Sequence, residues 1–169
     1  MGRTRGLGLV FLIFSVSLLS LTQCARKTVE LPKDLLGIYI GMNQEDAQKR
    51  LEEIAVFESK ARKAGHLWKL KNDPRFSHLA IDYNKENKIR FVTAFVDAAT
   101  AKERIRFAEV GDLTTAKAEI SEPHYRYIWE IPAEGDKPAC VVNIYGDNPE
   151  FVTMYTLADK IQSDKLRNQ

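Results

Sequence analysis

Beyond Gly37 the spacing of apolar positions switches from a helical to a strand-like period. Ala47, Leu51 and Ile54 recur at i, i+4 and i+7, so the spacing predicts a short amphipathic helix over about 44–54. Asn43 stands where a cap would, and Asp46 follows three residues on in capping-box position. Met42 and Ala47 occupy the staple positions. Downstream, strand-like runs at 56–62, 66–71, 77–83 and 89–96 are separated by turn-forming stretches: Lys63-Ala64-Gly65, Asn72-Asp73-Pro74-Arg75 and Asn84-Lys85-Glu86-Asn87. Leu79, Ile81 and Tyr83 alternate with His78, Ala80 and Asp82, as in an antiparallel strand with one solvated face. The run 89–96 is apolar on both faces, which predicts a central strand or one covered on both sides.

The pattern then starts over. A run at 105–107 precedes Asp112, which can cap a second short helix with Leu113, Ala116 and Ile120 on one side. Strands follow at 125–131, 139–145 and 150–157, and 159–169 is a polar tail. Asn43-x-x-Asp46-Ala47 is echoed by Asp112-x-x-Thr115-Ala116, and Asn72-Asp73-Pro74-Arg75-Phe76 is echoed by Asp147-Asn148-Pro149-Glu150-Phe151. Two echoes in the same order make 37–98 and 104–158 candidate repeats of a helix-plus-hairpins unit, with the wider spacing of the second copy absorbed by the loop 132–138. Each echo alone is a common turn or cap.

Upstream lies a different kind of hydrophobicity. Arg3 and Arg5 precede an apolar stretch from Leu7 to Leu21, with no further charge until Arg26, which is the design of a secretory signal over residues 1–23. The stretch is shorter than the ~20 residues that span a bilayer. Residues 24–36 mix charges with Pro32 and read as a tether; a flexible coil of 25–35 would reach ~20 Å. That leaves 37–158 as the folded domain. The chain of 169 residues carries 25 Lys and Arg against 23 Asp and Glu, and the two excess cations belong to the leader. A charge-balanced body has no field for steering toward phosphate backbones, so nucleic acid is not an expected partner.

The leader ends in Leu21-Thr22-Gln23-Cys24, which resembles a bacterial lipobox. The resemblance implies that the Cys24 thiol is acylated, with diacylglycerol and palmitate-type chains, and becomes the mature N-terminus. Two or three chains on one residue anchor stably where a single chain binds reversibly. The alternative is an ordinary signal peptide, with Cys24 paired to Cys140 in an oxidising compartment. Cys140, in Ala139-Cys140-Val141-Val142, reads as a buried strand thiol. Further on, Gly41-Met42-Asn43-x-x-Asp46-Ala47-x-x-x-Leu51 resembles the helix start of the SmpA/OmlA (BamE) outer-membrane lipoproteins, whose tandem version looks like the β-lactamase-inhibitor-protein-like fold. The resemblance implies an α+β domain, short helices packed on one face of an antiparallel sheet whose other face contacts proteins. It also implies an outer-membrane, periplasm-facing location.

Catalytic templates are missing from the sequence. It contains no Gly-x-Ser-x-Gly, His-Glu-x-x-His, Cys-x-x-Cys, phosphate loop or dinucleotide fingerprint. His66, His78 and His124 have no second ligand at metal spacing, so neither a metal nor another cofactor is expected. In His124-Tyr125-Arg126-Tyr127-Ile128-Trp129-Glu130-Ile131, alternation puts Tyr125, Tyr127 and Trp129 on one strand face. That stripe, with Trp68 in the first half, fits a partner site, because Tyr and Trp are enriched in hot spots. It equally fits the core, where aromatic strand residues bury a large area. Arg126 and Glu130 fall on the opposite, solvated face. The expected role is a non-catalytic protein-binding module, membrane-anchored at Cys24, with an envelope protein as partner and outer-membrane protein assembly as its setting. Inhibition of a secreted hydrolase through the loops 134–137 or 147–150 is the alternative, and an enzyme with an unrecognised site the third reading.

Overall fold

The computed structural model describes residues 30–61, 65–97 and 101–160. Eight strands, β1 (Ala55–Ala61), β2 (Gly65–Leu70), β3 (His78–Tyr83), β4 (Ile89–Phe95), β5 (Lys117–Ser121), β6 (His124–Ile131), β7 (Cys140–Gly146) and β8 (Met154–Asp159), form one sheet in the order β1-β2-β3-β4-β8-β7-β6-β5. Every neighbouring pair is antiparallel. The first four strands make one meander and the last four another. They meet at β4 and β8, where Val92 faces Leu157, Thr93 faces Thr156 and Ala94 faces Tyr155. The run that is apolar on both faces thus lies at the middle of the sheet.

One sheet face carries the main core. Leu79, Ile81, Val92, Val142, Ile144 and Leu157 have no accessible surface there; fully burying such a side chain contributes about 1.5–3 kcal/mol. The cover over this face is a patchwork. Leu35, Ile38 and Ile40 come from the segment before the helix α1 (Gln44–Ile54), and Ala47 and Leu51 from α1 itself. Ile105, Phe107 and Val110 come from the linker between meanders and the one-turn α2 (Phe107–Val110). Leu31 and Leu36 also pack on this core, so the stretch expected to be a tether belongs to the folded domain from Leu31 onward.

The expected α+β arrangement, with short helices packed on one face of the sheet, is therefore corrected. The described chain is mostly an open eight-stranded antiparallel sheet, and α1 is its one helix longer than a single turn. The second helix fails for an identifiable reason. The Asp112 side chain accepts from Thr114 N at 2.9 Å, but the element it caps is a 3-10 turn, Leu113–Thr115. Lys117-Ala118-Glu119-Ile120-Ser121 then takes up a two-residue period and pairs with β6 as β5. Leu113, Ala116 and Ile120 fit a helical stripe, but pairing along β6 satisfies backbone groups of that strand that a helix would have left at its edge. The run 105–107 is likewise no strand; it holds an isolated bridge from Arg106 to Phe151 and the start of α2.

Local turn chemistry tracks the sequence more closely. Asp73 Oδ1 accepts from Arg75 N and Phe76 N, both at 2.8 Å. Asn148 Oδ1 accepts from Glu150 N at 3.0 Å and Phe151 N at 2.8 Å. These are the same Asx-Pro turn, yet the first joins β2 to β3 and the second β7 to β8. The echo between the two turns therefore records a shared local solution and not topologically equivalent positions. At α1, Asn43 is the N-cap residue, but its side chain makes no capping bond. Asn43 is instead bridged to Lys88, and Gln44 N donates to Asn87 O at 2.9 Å, so the β3–β4 turn supplies the cap.

Candidate functional site

Alternation along β6 puts Tyr125, Tyr127 and Trp129 on the covered face, together with Trp68 of β2. The two tryptophans are each only 4% exposed and belong to the core. Trp129 Nε1 donates to Asp112 O at 3.1 Å and to Thr115 Oγ1 at 3.2 Å, which ties the strand to the 3-10 turn. Phe107 packs on Tyr127 with ring centroids 5.0 Å apart. Tyr125 and Tyr127 are half-buried and lie against the core margin. The Tyr125 hydroxyl donates to Glu122 at 3.3 Å, and desolvation, then the Glu122 charge, raise its pKa. In the first meander Phe57 meets Trp68 edge-on at 5.3 Å and His66 at 6.1 Å, and His66 meets Tyr83 at 5.7 Å. Of the four aromatic candidates, the tryptophans are packed inside and the tyrosines reach the surface.

The opposite face is built differently. Ala80, Phe91 and Ala158 are buried in a second apolar cluster, with Leu67 and Phe95 packed against it; all five are strand residues from β2, β3, β4 and β8. None of its members comes from the described helices or loops, which direct their buried side chains to the first face. Across the seam, the buried hydroxyls of Thr93 and Thr156 are 2.9 Å apart. Ion pairs border the strip. Arg90 Nε donates to Asp82 Oδ2 at 2.8 Å on one side. On the other, Arg126 donates to Glu119 at 3.1 Å and to Asn143 at 2.9 Å, while Lys160 reaches Glu130 at 3.2 Å. Ala80, Phe91 and Ala158 are themselves buried, while Leu67 and Phe95 keep part of their surface, so an apolar partner can meet the strip at those two residues, oriented by charges whose partners are already fixed and with little unpaired charge to desolvate. The sequence signal for this face was present in 89–96, apolar at both parities, and in the small Ala80 and Ala158.

Other groups with chemical potential are dispersed. His78 Nδ1 is 3.0 Å from Ser77 Oγ, and its Nε2 is 3.5 Å from Glu58. Ser77 Oγ also donates to Phe95 O at 3.3 Å, so this Ser–His–Glu chain directs its hydroxyl proton to the backbone. His124 contacts Tyr145 and lies 3.5 Å from Asp147 at the far end of the second meander. No three His, Cys, Asp or Glu side chains among the described residues are grouped to hold a metal ion. A cleft of about 550 Å³ lies between Leu35, Arg75, Phe76, Arg104, Val110 and Tyr155. The Tyr155 hydroxyl is buried from solvent without a hydrogen-bond partner among the described residues. Burial, then the nearby Asp34 charge, pushes its pKa far above the usual phenol range, so it stays protonated. Cys140 is a free, buried thiol, its pKa raised by burial. Cys24 lies outside the described residues. No described helix is long and apolar enough to cross a membrane. Comparison with protein-family models, with curated proteins and with solved structures gives no match.

Proposed function

We propose that the chain is a lipid-anchored envelope protein that acts as a non-catalytic binding module. Cys24 holds it at the membrane, and the second sheet face receives a protein partner. The observation that carries the reading is that face: an apolar strip of Leu67, Ala80, Phe91, Phe95 and Ala158, bordered by fixed ion pairs and built from strand residues alone. The lipobox-like Leu21-Thr22-Gln23-Cys24 supports the tether. The test is in cells. A photo-crosslinking residue at Leu67 or Phe95 is expected to capture one discrete protein, and one at Glu45 on α1 to capture none. Cys24→Ser is expected to shift the chain from the membrane to the soluble fraction. Equal capture at all three positions, or a membrane fraction unchanged by Cys24→Ser, would sink the proposal.

A further inference from the structure

An open sheet has two edges, and here the edges also hold the exposed apolar side chains. Among the described residues three large hydrophobic side chains stand out in solvent: Val56 at 58%, Phe57 at 50% and Ile120 at 55% exposed. The first two lie on β1 and the third on β5, the outermost strands. The edges are not alike. β1 carries a register shift between Phe57 and Ser59, a bulge of the kind that twists an edge away from further pairing. β5 pairs with β6 in unbroken register from Lys117 to Ser121, contains no proline and is exposed at every residue except the half-covered Glu119, and no other described strand pairs along its outer side.

We infer that β5 is a self-association edge, pairing antiparallel with β5 of a second copy of this chain about a two-fold axis at Ala118. The strand's charge order selects both partner and register. In antiparallel pairing, opposed residues share a sheet face. Lys117 and Glu119 share one face of β5, with Arg126 of β6 beside Glu119; Ala118 and Ile120 share the other, next to Tyr127 and Tyr125. A two-fold at Ala118 sets Lys117 of each copy opposite Glu119 of the other, and Ile120 opposite Ala116. Within one chain Lys117 Nζ already donates to Glu119 at 2.7 Å, so the two copies join two such pairs into one alternating cluster. Centring on Lys117 or Glu119 opposes like charges, and centring on Ile120 brings Lys117 opposite Pro123, which has no N–H to give. Register Ala118 thus forms two opposite-charge pairs and covers the exposed isoleucine. It extends the sheet without a break, the sense in which unprotected edges pair. A single short strand pair is a small interface, so the dimer is a concentration-dependent one.

Disulfide trapping in the full chain tests both contact and register, because directly opposed Cα atoms in an antiparallel pair are about 4.5–5.5 Å apart, within disulfide reach. Under a copper–phenanthroline oxidant, Ala118→Cys is expected to give a linked dimer on non-reducing gels, above the background from Cys24 and Cys140 in the parent chain. Val56→Cys, on the other edge, is expected to stay at background. Adding Lys117→Glu should cut the Ala118→Cys dimer by about tenfold, since it opposes two acids in each pair. Further adding Glu119→Lys should restore it. Circular dichroism matching the parent confirms that each variant is folded. Background-level linking at Ala118→Cys, equal linking at Val56→Cys, or indifference to the charge reversal and its compensation would each overturn the inference.

Discussion

The seam between the two meanders can be tested through Thr93 and Thr156. Both residues are 8% exposed, and their hydroxyls share one hydrogen bond of 2.9 Å across β4 and β8. Thr93→Val removes one hydroxyl while keeping a β-branched side chain of the same shape, and strands the other hydroxyl in a buried site. Leaving a buried donor or acceptor unpaired costs about 1–3 kcal/mol, whereas replacing both partners by apolar groups of the same shape is close to neutral. Each single variant is therefore expected to lose about 1–3 kcal/mol, and the Thr93→Val/Thr156→Val double variant to return to within about 0.5 kcal/mol of the parent or to exceed it. The coupling from the double-mutant cycle is then at least as large as a single-variant loss and opposite in sign. Urea unfolding resolves this, because at a slope of about 1–3 kcal/mol/M a loss of about 2 kcal/mol moves the midpoint by about 1 M. Neutral single variants, or a double variant that loses the sum of the two, would refute the picture of a buried hydroxyl pair held by mutual satisfaction.

Particular contacts elsewhere fix four more outcomes. Leu157→Ala at the seam removes a side chain with no accessible surface and is expected to cost about 2–5 kcal/mol in the same urea assay; a loss under about 1 kcal/mol would mean the site collapses freely. Gly65→Ala should lower stability by more than about 1 kcal/mol, since Gly65 has φ +73° and an added Cβ would lie 2.2 Å from Ile81 O; a Tm equal to the parent's counts against the close approach of β2 and β3. Cys140, buried and with its pKa raised, should resist iodoacetamide at about pH 8 in the folded chain and react fully in urea, so equal rates in both states would contradict its placement. Glu134 accepts from Lys33, whose hydrogen bond and charge hold its carboxyl below the ordinary value. The pair's small contribution is complete above the ordinary carboxylate range and is lost as pH falls through the lowered value; an NMR titration should show Glu134 rising toward the ordinary value in Lys33→Ala.

How much of this was legible in the sequence depended on whether the deciding interaction was local. The α1 span, the turn at 84–87 and both Asx-Pro turns are fixed by residues within a few positions of one another, and they sit where the pattern puts them. Residues 112–120 are the contrary case. Asp112 does cap, but only the short turn Leu113–Thr115, because the residues after it are claimed by β6 from outside the segment. The Asn43 cap fails for the same reason, since the carbonyl that accepts from Gln44 N comes from Asn87, in a turn remote along the chain. On the candidate site, alternation puts Tyr125, Tyr127 and Trp129 on one face, as they lie in the sheet. What alternation could not give was which face the linker and the segment 31–40 would cover, and that choice buries Trp68 and Trp129 and leaves the strip of Phe91 and Phe95 to strand residues alone.

The strand order explains why burial and exposure are distributed as they are. Joining two meanders through their last strands places β4 and β8, the runs with apolar residues at both parities, where neighbours flank them on either side, and Val92, Leu157, Phe91 and Ala158 are all buried there. The same joining sends the first strand of each meander outward, so among the described strands β1 and β5 are the ones paired on one side only. Those strands carry the exposed Val56, Phe57 and Ile120. A sheet closed into a barrel would have no such strands, and a helical layer over both faces would leave no strip at Phe91. The open sheet therefore puts two tasks at the same place: apolar burial on both faces of the seam holds the halves together, and the charge-framed strip of Phe91, Phe95 and Ala158 lies on one face of that seam, while the edge where Lys117 and Glu119 alternate with Ala118 and Ile120 is the surface that stands away from it.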